Sequence, residues 1–354
     1  MAVAPIVLSF LVSFTMLIAL MPLAPRLGLV DHPGERRKTH ADSVPLIGGI
    51  AIFTALLASS LLLPIDRTTL FGLIGGCLLV VVGAVDDRFG LGPKVRLAAQ
   101  AGAALLLSVG GGVTLTSVGD ILGFGPIDLG PLAVPLTVFA VVGIINAFNM
   151  IDGIDGLAGG LVLVALGALL LMAPEMGSSQ VITLTAIAAL IPYLICNLGL
   201  LGYRGSKIFL GDAGSMLMGY IVVWAMIDAA GSQRSIEPVT ALWFVAIPLV
   251  DTLGVMVRRM LQRKSPFTAD RSHMHHLLMR IVGSPRKTLT LMLSMAVALA
   301  GVGIAGHIHQ VDPSVMFYAG FVLFVLYAIF LGTVQQLHRR ALRLRRPLLA
   351  EDKA

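Results

Sequence analysis

The sequence predicts an all-α, polytopic membrane protein with a polar cleft at its cytoplasmic face, and three observations carry that reading. Its 354 residues are 57% hydrophobic and 12% charged, with mean hydropathy +0.92; a soluble domain carries about twice that share of charge. Apolar stretches recur at about residues 2–24, 46–64, 68–85, 97–112, 132–148, 157–173, 181–200, 213–230, 239–257, 288–306 and 314–334. Most approach the roughly 20 residues that a membrane helix needs. None shows barrel-like alternation, and lipid cannot satisfy open backbone groups, so each stretch is expected to be a helix.

Eleven spans place the termini on opposite sides, and the basic residues choose which. With the N-terminus outside, 23 of the 25 Lys and Arg fall in inside segments, leaving only Arg67 and Arg234 outside. The positive-inside rule therefore gives N-out, C-in. The net charge of +6 is then a cytoplasmic belt facing anionic lipid, and no nucleic-acid partner is expected. The chain reads as one membrane-embedded domain over 1–354, with a basic cytoplasmic tail from about 335. No basic segment precedes Arg26 and no cleavage pattern follows, so the first stretch reads as a retained span. Cys77 and Cys196 fall inside apolar runs and are expected to be buried and reduced. The outside segment 113–131, punctuated by Gly and Pro, suggests a small hairpin or irregular cap.

The acids are less evenly spread. Asp86, Asp87, Asp152, Asp155, Asp212, Asp251 and Asp270 all fall at or near the inner ends of spans. Charge near hydrocarbon is costly, so such groups face a protein interior or an aqueous cavity. Five segments reaching one depth predict a shared polar cleft. In AVDDRFGLG, Arg88 or Lys94 would satisfy one of Asp86 and Asp87, while two adjacent carboxylates repel without a cation or proton. In NMIDGIDGLAGG, the i, i+3 spacing puts Asp152 and Asp155 on one helix face; N-capping by Asp155 would explain only one of them. In KIFLGDAGS, Asp212 stands at a span's N-terminus. There it serves either as a cap or as a partner for phosphate through a metal, and magnesium needs only one or two carboxylates beside phosphate oxygens and water. Phe209, three residues earlier, is either packed or stacked on a ligand.

His273, His275 and His276 lie in the longest inside loop, with Arg263, Lys264 and Arg271 nearby. The spacing is not that of a zinc protease, and phosphate recognition suits it better; the alternative is a solvated interfacial loop. Asp251, inside a span, is expected either to pair with an arginine such as Arg258 or Arg259 or to join the site. Acids for a divalent cation and bases for phosphates define a metal-dependent transferase or hydrolase acting on a phosphorylated substrate at the inner face.

In this order, RRKTHADSVPLIGG, GAVDDRFGL, INAFNMIDGIDGLAGG, KIFLGDAGS and SPFTADRSHMHHLLMR closely resemble the WecA-type undecaprenyl-phosphate N-acetylglucosamine-1-phosphate transferases. These belong to the polyprenyl-phosphate N-acetylhexosamine-1-phosphate transferase superfamily. The resemblance implies an eleven-helix fold in the bacterial cytoplasmic (inner) membrane, with a homodimer as one possible assembly. It implies UDP-N-acetylglucosamine and undecaprenyl phosphate as substrates, Mg²⁺ or Mn²⁺ as cofactor, and initiation of a cell-surface polysaccharide such as O-antigen. By motif match, Asp212 would ligate the metal, and Asp86 and Asp87 would position or deprotonate the lipid phosphate. Asn149, Asp152 and Asp155 would line the nucleotide side, Phe209 would stack on uracil, and Arg271, His273, His275 and His276 would hold pyrophosphate and sugar. The run around Lys38 and the long separation of Asn197 from Phe209 depart from the peptidoglycan branch and argue against muramoyl-pentapeptide as the transferred group.

Two other classes are weighed. An ion-coupled transporter predicts acids near the midplane on broken helices, whereas these cluster at inner span ends. A CDP-alcohol phosphotransferase predicts further aspartates after DGIDG, where this chain reads GLVLVALGALLL. Within the favoured class, another UDP-N-acetylhexosamine remains an alternative donor.

Overall fold

The computed structural model describes residues 3–31, 43–173, 177–202, 207–231, 236–263 and 273–351. Each of the eleven apolar stretches carries helix. The chain opens with α1 (Val3–Leu20) and a single turn, α2 (Ala24–Leu27). Two short strands follow, β1 (Val30–Asp31) and β2 (Val44–Pro45), paired antiparallel with Val30 opposite Pro45. Then come α3 (Gly48–Ser60), α4 (Arg67–Phe89), α5 (Pro93–Leu105), α6 (Ala133–Ile151), α7 (Leu157–Met172), α8 (Gly177–Asn197) and α9 (Gly211–Gly231). The last part is α10 (Pro238–Phe244), α11 (Ala246–Leu261), α12 (Met274–Val282), α13 (Pro285–Ile308) and α14 (Pro313–Glu351).

Local chemistry explains the boundaries. Asp66 accepts a hydrogen bond from the Thr69 amide at 2.7 Å and starts α4, which Gly90 ends in the left-handed region at φ 67°. Pro93, Pro238 and Pro285 open their helices, where a missing N–H costs nothing. α5 widens into a π-helical turn at Leu106–Gly110. The 113–131 segment is the expected hairpin, closed by Val118 N to Ile127 O at 3.1 Å and Leu129 N to Thr116 O at 2.8 Å.

Among the described residues, seven helices are long and apolar enough to cross a membrane, or eight if α10 and α11 form one span. The 239–257 stretch, expected as one straight span, is instead bent by 87° between α10 and α11. α3 and α7 are shorter, with 13 and 16 residues. At 1.5 Å per residue α14 is about 58 Å long, well beyond the roughly 30 Å hydrocarbon core.

α9 is the hub. In its most apolar window 94% of residues are buried, against 22% for α1 and 17% for the described part of α14. It packs on α3, α4, α6, α7 and α8, so it is apolar on every side, as a fully enclosed helix must be. α1 is tied in by Ser9 and Ser13, whose hydroxyls donate to the carbonyls of Thr185 and Ala189 at 2.8 and 2.7 Å. Cys196 is buried as expected, but Cys77 is exposed on the surface of α4.

Small residues let backbones touch at the N-terminal end of the hub. A Cβ on Gly49 would stand 2.2 Å from the Gly214 nitrogen, and one on Gly83 2.3 Å from the Ala213 Cα. Both clashes are with backbone, which cannot swing aside. Gly49→Ala and Gly83→Ala should therefore each cost about 1–3 kcal/mol and lower the thermal unfolding midpoint in detergent. Gly143, with nothing within 4 Å, is the control, and its alanine variant should melt at or slightly above the wild-type temperature. Equal midpoints for all three variants would contradict the packing described.

Candidate active site

α4 and α9 meet through a carboxylate. Asp87, in the last turn of α4, accepts hydrogen bonds from the Asp212 amide at 2.8 Å and the Ala213 amide at 3.2 Å. These are N–H groups that the first turn of α9 leaves unpaired. Gly211 enters the helix at φ 74°, and a Cβ there would stand 2.5 Å from Asp87 Oδ2, so only glycine fits. Capping was one reading of Asp212 in the sequence; the structure gives that task to Asp87. The Asp212 side chain is thereby released to point elsewhere.

It points at a polar cluster. Asn149 Nδ2 donates to Asp212 Oδ1 at 2.5 Å and to Ser215 Oγ at 2.8 Å. Arg96, one turn into α5, reaches Asp86 Oδ2 at 3.0 Å and Asp212 Oδ2 at 3.6 Å. Asp86 also accepts from the Leu91 amide at 2.5 Å. Its basic partner is thus Arg96, where Arg88 or Lys94 was expected. Gly90 turns the chain back after α4 and lets a residue ten positions later face Asp86. Arg88 instead lies over the Phe89 ring at 4.8 Å.

Asp152 and Asp155 do not share a helix face. α6 ends at Ile151 and α7 starts at Leu157, so residues 152–156 form a turn. Nor does Asp155 cap α7. Gly156 occupies that place at φ 76°, and its amide donates to the buried Asn197 Oδ1 at 2.6 Å. Asn197 also donates to the Ile208 carbonyl at 2.8 Å, so it fastens the turn to the segment before α9. Asp155 pairs with Lys207 at 2.8 Å. Lys207 lies 5.1 Å from the Phe209 ring centre, within cation–π range. Phe209 is held by the backbone, its amide donating to the Pro45 carbonyl at 2.8 Å and its carbonyl accepting from Gly48 at 3.1 Å. Asp152 keeps contact with solvent, yet its pKa is pushed upward by lost hydration first, then by the charges of Asp212 and Asp155.

The histidines start a helix rather than lying in a solvated loop. His273 is the N-cap residue of α12, and His273 and His275 are buried. The His273 and His275 rings lie parallel within 8° at 6.0 Å, and His275 and His276 are 4.1 Å apart. A Cβ on Gly153 would stand 2.1 Å from His275 Nε2, so this array abuts the 152–156 turn. Burial, then the neighbouring His276, lowers the His275 pKa to about 3 and keeps its ring neutral. Arg271 and Asp270 lie outside the described residues.

Sequence reasoning missed Arg96 and Lys207, which it counted only as inside charge, and the partly buried Gln100–Asn146 bond of 2.6 Å. It could have found Arg96 as the first arginine after a glycine turn that follows two acids. Among the described residues no group of three or more His, Cys, Asp or Glu is set to hold a metal, which disfavours a closed zinc cage. Arg96 Nη1 lies 3.0 Å from Asp86 Oδ2 and 3.6 Å from Asp212 Oδ2, so it bridges the two carboxylates. Such a pair fits a hard cation completed by water and phosphate oxygens.

Fold and site together define a membrane-embedded protein whose acids and bases converge from distant segments upon one end of a buried helix hub. Comparison with known proteins agrees. The model of Glycosyl transferase family 4 matches residues 69–230, a range running from the start of α4 to the end of α9. The undecaprenyl-phosphate alpha-N-acetylglucosaminyl 1-phosphate transferase of Yersinia pestis is 40% identical over 90% of this chain and 88% of its own. The proteins of that name from Escherichia coli (strain K12) and Haemophilus influenzae are 39% and 38% identical, over 92% and 96% of this chain and 90% and 99% of their own. The chain belongs to the family of these undecaprenyl-phosphate alpha-N-acetylglucosaminyl 1-phosphate transferases.

The Asp87 cap makes a specific prediction. Asp87→Asn sets an amide N–H against a backbone N–H and removes a charge from the helix N-terminus, so it should cost about 1–2 kcal/mol. Asp155→Asn, at a half-exposed ion pair, should cost less than about 1 kcal/mol. Thermal unfolding of the two purified variants measures the difference, and equal midpoints would remove Asp87 from the role of cap.

Proposed function

We propose that this chain transfers N-acetylglucosamine-1-phosphate from UDP-N-acetylglucosamine to undecaprenyl phosphate. The products are UMP and undecaprenyl-pyrophosphoryl-N-acetylglucosamine, the first lipid-linked intermediate of a cell-surface polysaccharide such as O-antigen. The observation that carries this reading is the meeting of Asp86, Asp87, Asn149 and Asp212 with Arg96 at the inner end of α9, in a chain of this family. One domain over 1–354 would span the bacterial inner membrane eleven times, N-terminus outside, with the basic tail from about 335 in the cytoplasm. To reach eleven, α3, α7 and α5 with its π-turn count as spans, and α10–α11 as one. The cleft then opens to the cytosol for the nucleotide and to the bilayer for the lipid.

In this reading an oxygen of the lipid phosphate attacks the β-phosphorus of the sugar nucleotide. A new P–O bond forms, the bond from that phosphorus to the bridging oxygen breaks, and UMP departs with that oxygen. Asp212, aided by Asp86, would hold Mg²⁺ or Mn²⁺; when bound, such a cation neutralises phosphate charge. Asp86 and Asp87 both have their oxygens engaged by N–H groups, which suits positioning better than proton abstraction. No base is demanded, because a phosphate monoester is largely ionised at neutral pH (its second pKa is about 6). Asn149, Asp152 and Asp155 would line the nucleotide side, Phe209 would stack on the uracil, and His273, His275, His276 and Arg271 would bind pyrophosphate and sugar.

The test is UMP release by the purified protein in detergent. With undecaprenyl phosphate and UDP-N-acetylglucosamine, release should depend on lipid and stop with EDTA; UDP-N-acetylgalactosamine should give far less. Release without lipid, or in the presence of EDTA, would contradict the mechanism. Preference for the second sugar would overturn the donor. Phe209→Ala should raise the KM for the sugar nucleotide about tenfold, as loss of one base–aromatic stack does, and leave the lipid KM within about twofold. Equal shifts in both would remove the stacking role.

A further inference from the structure

Asp251 is the most enclosed charge-bearing group that the proposed reaction does not use. Its residue is 0% exposed, and three groups, two from the start of α12 and one from α14, converge on its carboxylate. Oδ2 lies 2.9 Å from His273 Nδ1, Oδ1 accepts from the Met274 amide at 2.8 Å, and the Tyr327 hydroxyl of α14 donates to Oδ1 at 2.5 Å. A buried ion pair is weak support for stability, since apolar groups of the same volume do as well. What this carboxylate adds is direction. It accepts and does not donate, so the proton shared with His273 belongs on Nδ1. The ring is then fixed, and its other nitrogen, Nε2, is the one left for a ligand.

The surroundings show where that nitrogen matters. The His273 ring is parallel to His275, and His275 abuts Gly153 in the turn that carries Asp152 and Asp155. Asp251 therefore stands at the far end of a stack that runs from α11 and α14 to the nucleotide side of the cleft. His273 also opens α12, whose first-turn amide at Met274 bonds to the same carboxylate. One side chain sets both the helix start and the ring.

We propose that Asp251 is a positioning residue for binding of the sugar nucleotide. It holds His273 with Nδ1 protonated and Nε2 turned to the phosphate or sugar oxygens, and Tyr327 braces the carboxylate. This inference rests on the reading that the histidines bind the pyrophosphate–sugar portion. Asp251→Asn presents an amide N–H to Nδ1 and forces the opposite tautomer, while an amide oxygen remains for the Met274 amide.

The experiment combines nitrogen-15 NMR of histidine-labelled full-length protein with kinetics of UMP release. Subtracting the His273→Asn spectrum identifies the His273 signals. Nδ1 should be the protonated nitrogen in the wild type and should lose its proton in Asp251→Asn. Asp251→Asn should raise the KM for the sugar nucleotide about tenfold, the value of one well-placed hydrogen bond, with the lipid KM within about twofold. In a His273→Asn background the same change should add less than about twofold, because positioning through His273 has nothing left to act on. Additive losses, or an unprotonated Nδ1 in the wild type, would overturn the proposal. If Asp251→Asn fails to fold, Tyr327→Phe replaces it, with a smaller KM shift that must also vanish without His273. Should the wild type release no UMP, the function is wrong, while the NMR result still decides whether Asp251 sets the ring.

Discussion

The bond between the Asp87 carboxylate and the first amides of α9 is the interaction on which the rest of the site depends. A helix N-terminus needs acceptors for its unpaired N–H groups, and within apolar surroundings water cannot supply them. Here the acceptor comes from another helix, 125 residues away in sequence. Gly49, Gly83, Gly211 and Gly214 bring α3, α4 and α9 close enough for that contact. Once the end of α9 is satisfied by Asp87, Asp212 need not cap its own helix. Its carboxylate turns to Asn149 and Arg96 instead.

That arrangement gathers several negative charges in little space, and the compensation is uneven. Arg96 touches both Asp86 and Asp212, Lys207 pairs with Asp155, and Asp152 is pushed toward its neutral form. A cation between the carboxylates, or phosphates drawn in with one, would relieve the repulsion that remains. Charge balance thus links the buried geometry to the proposed chemistry: a site set by backbone contacts, with more carboxylates than bases among its described residues, and suited to two phosphorylated substrates. Asp251 serves the opposite wall by fixing the histidines, and it does so from a depth at which no solvent competes.

The helices were legible in the sequence because hydrophobic runs of near-span length leave few alternatives. The meeting of Asp86, Asp87 and Asp212 was also legible, since charges near hydrocarbon gather in a protein interior or an aqueous cavity. Arrangement was not. The three-residue spacing of Asp152 and Asp155 suits a helix, yet Gly153 and Gly156 open a turn there; Gly156 at φ 76° needs a conformation no helix offers. The bend at Val245 was hidden because both sides of it are equally apolar. Asp251 was open between a pairing with the arginines about two turns later and a place in the site; its bond to His273 spans 22 residues and follows from the folding back of α12. The Arg96 contact depends on the reversal at Gly90. Pairings across turns and between helices carry no local signal, and they are what divide the roles among the acids.

The most direct test of the central claim is a titration with Mn²⁺, followed by electron paramagnetic resonance, of the purified protein with UDP-N-acetylglucosamine present. If the carboxylates of Asp212 and Asp86 hold the cation beside the substrate phosphates, the wild type will immobilise Mn²⁺. Asp212→Asn will then bind it at least about tenfold more weakly, the loss of one charged ligand contact, while retaining the wild-type unfolding profile. Equal Mn²⁺ affinity in wild type and Asp212→Asn would contradict the account, because the carboxylate that Asp87 sets free would then have no cation to hold.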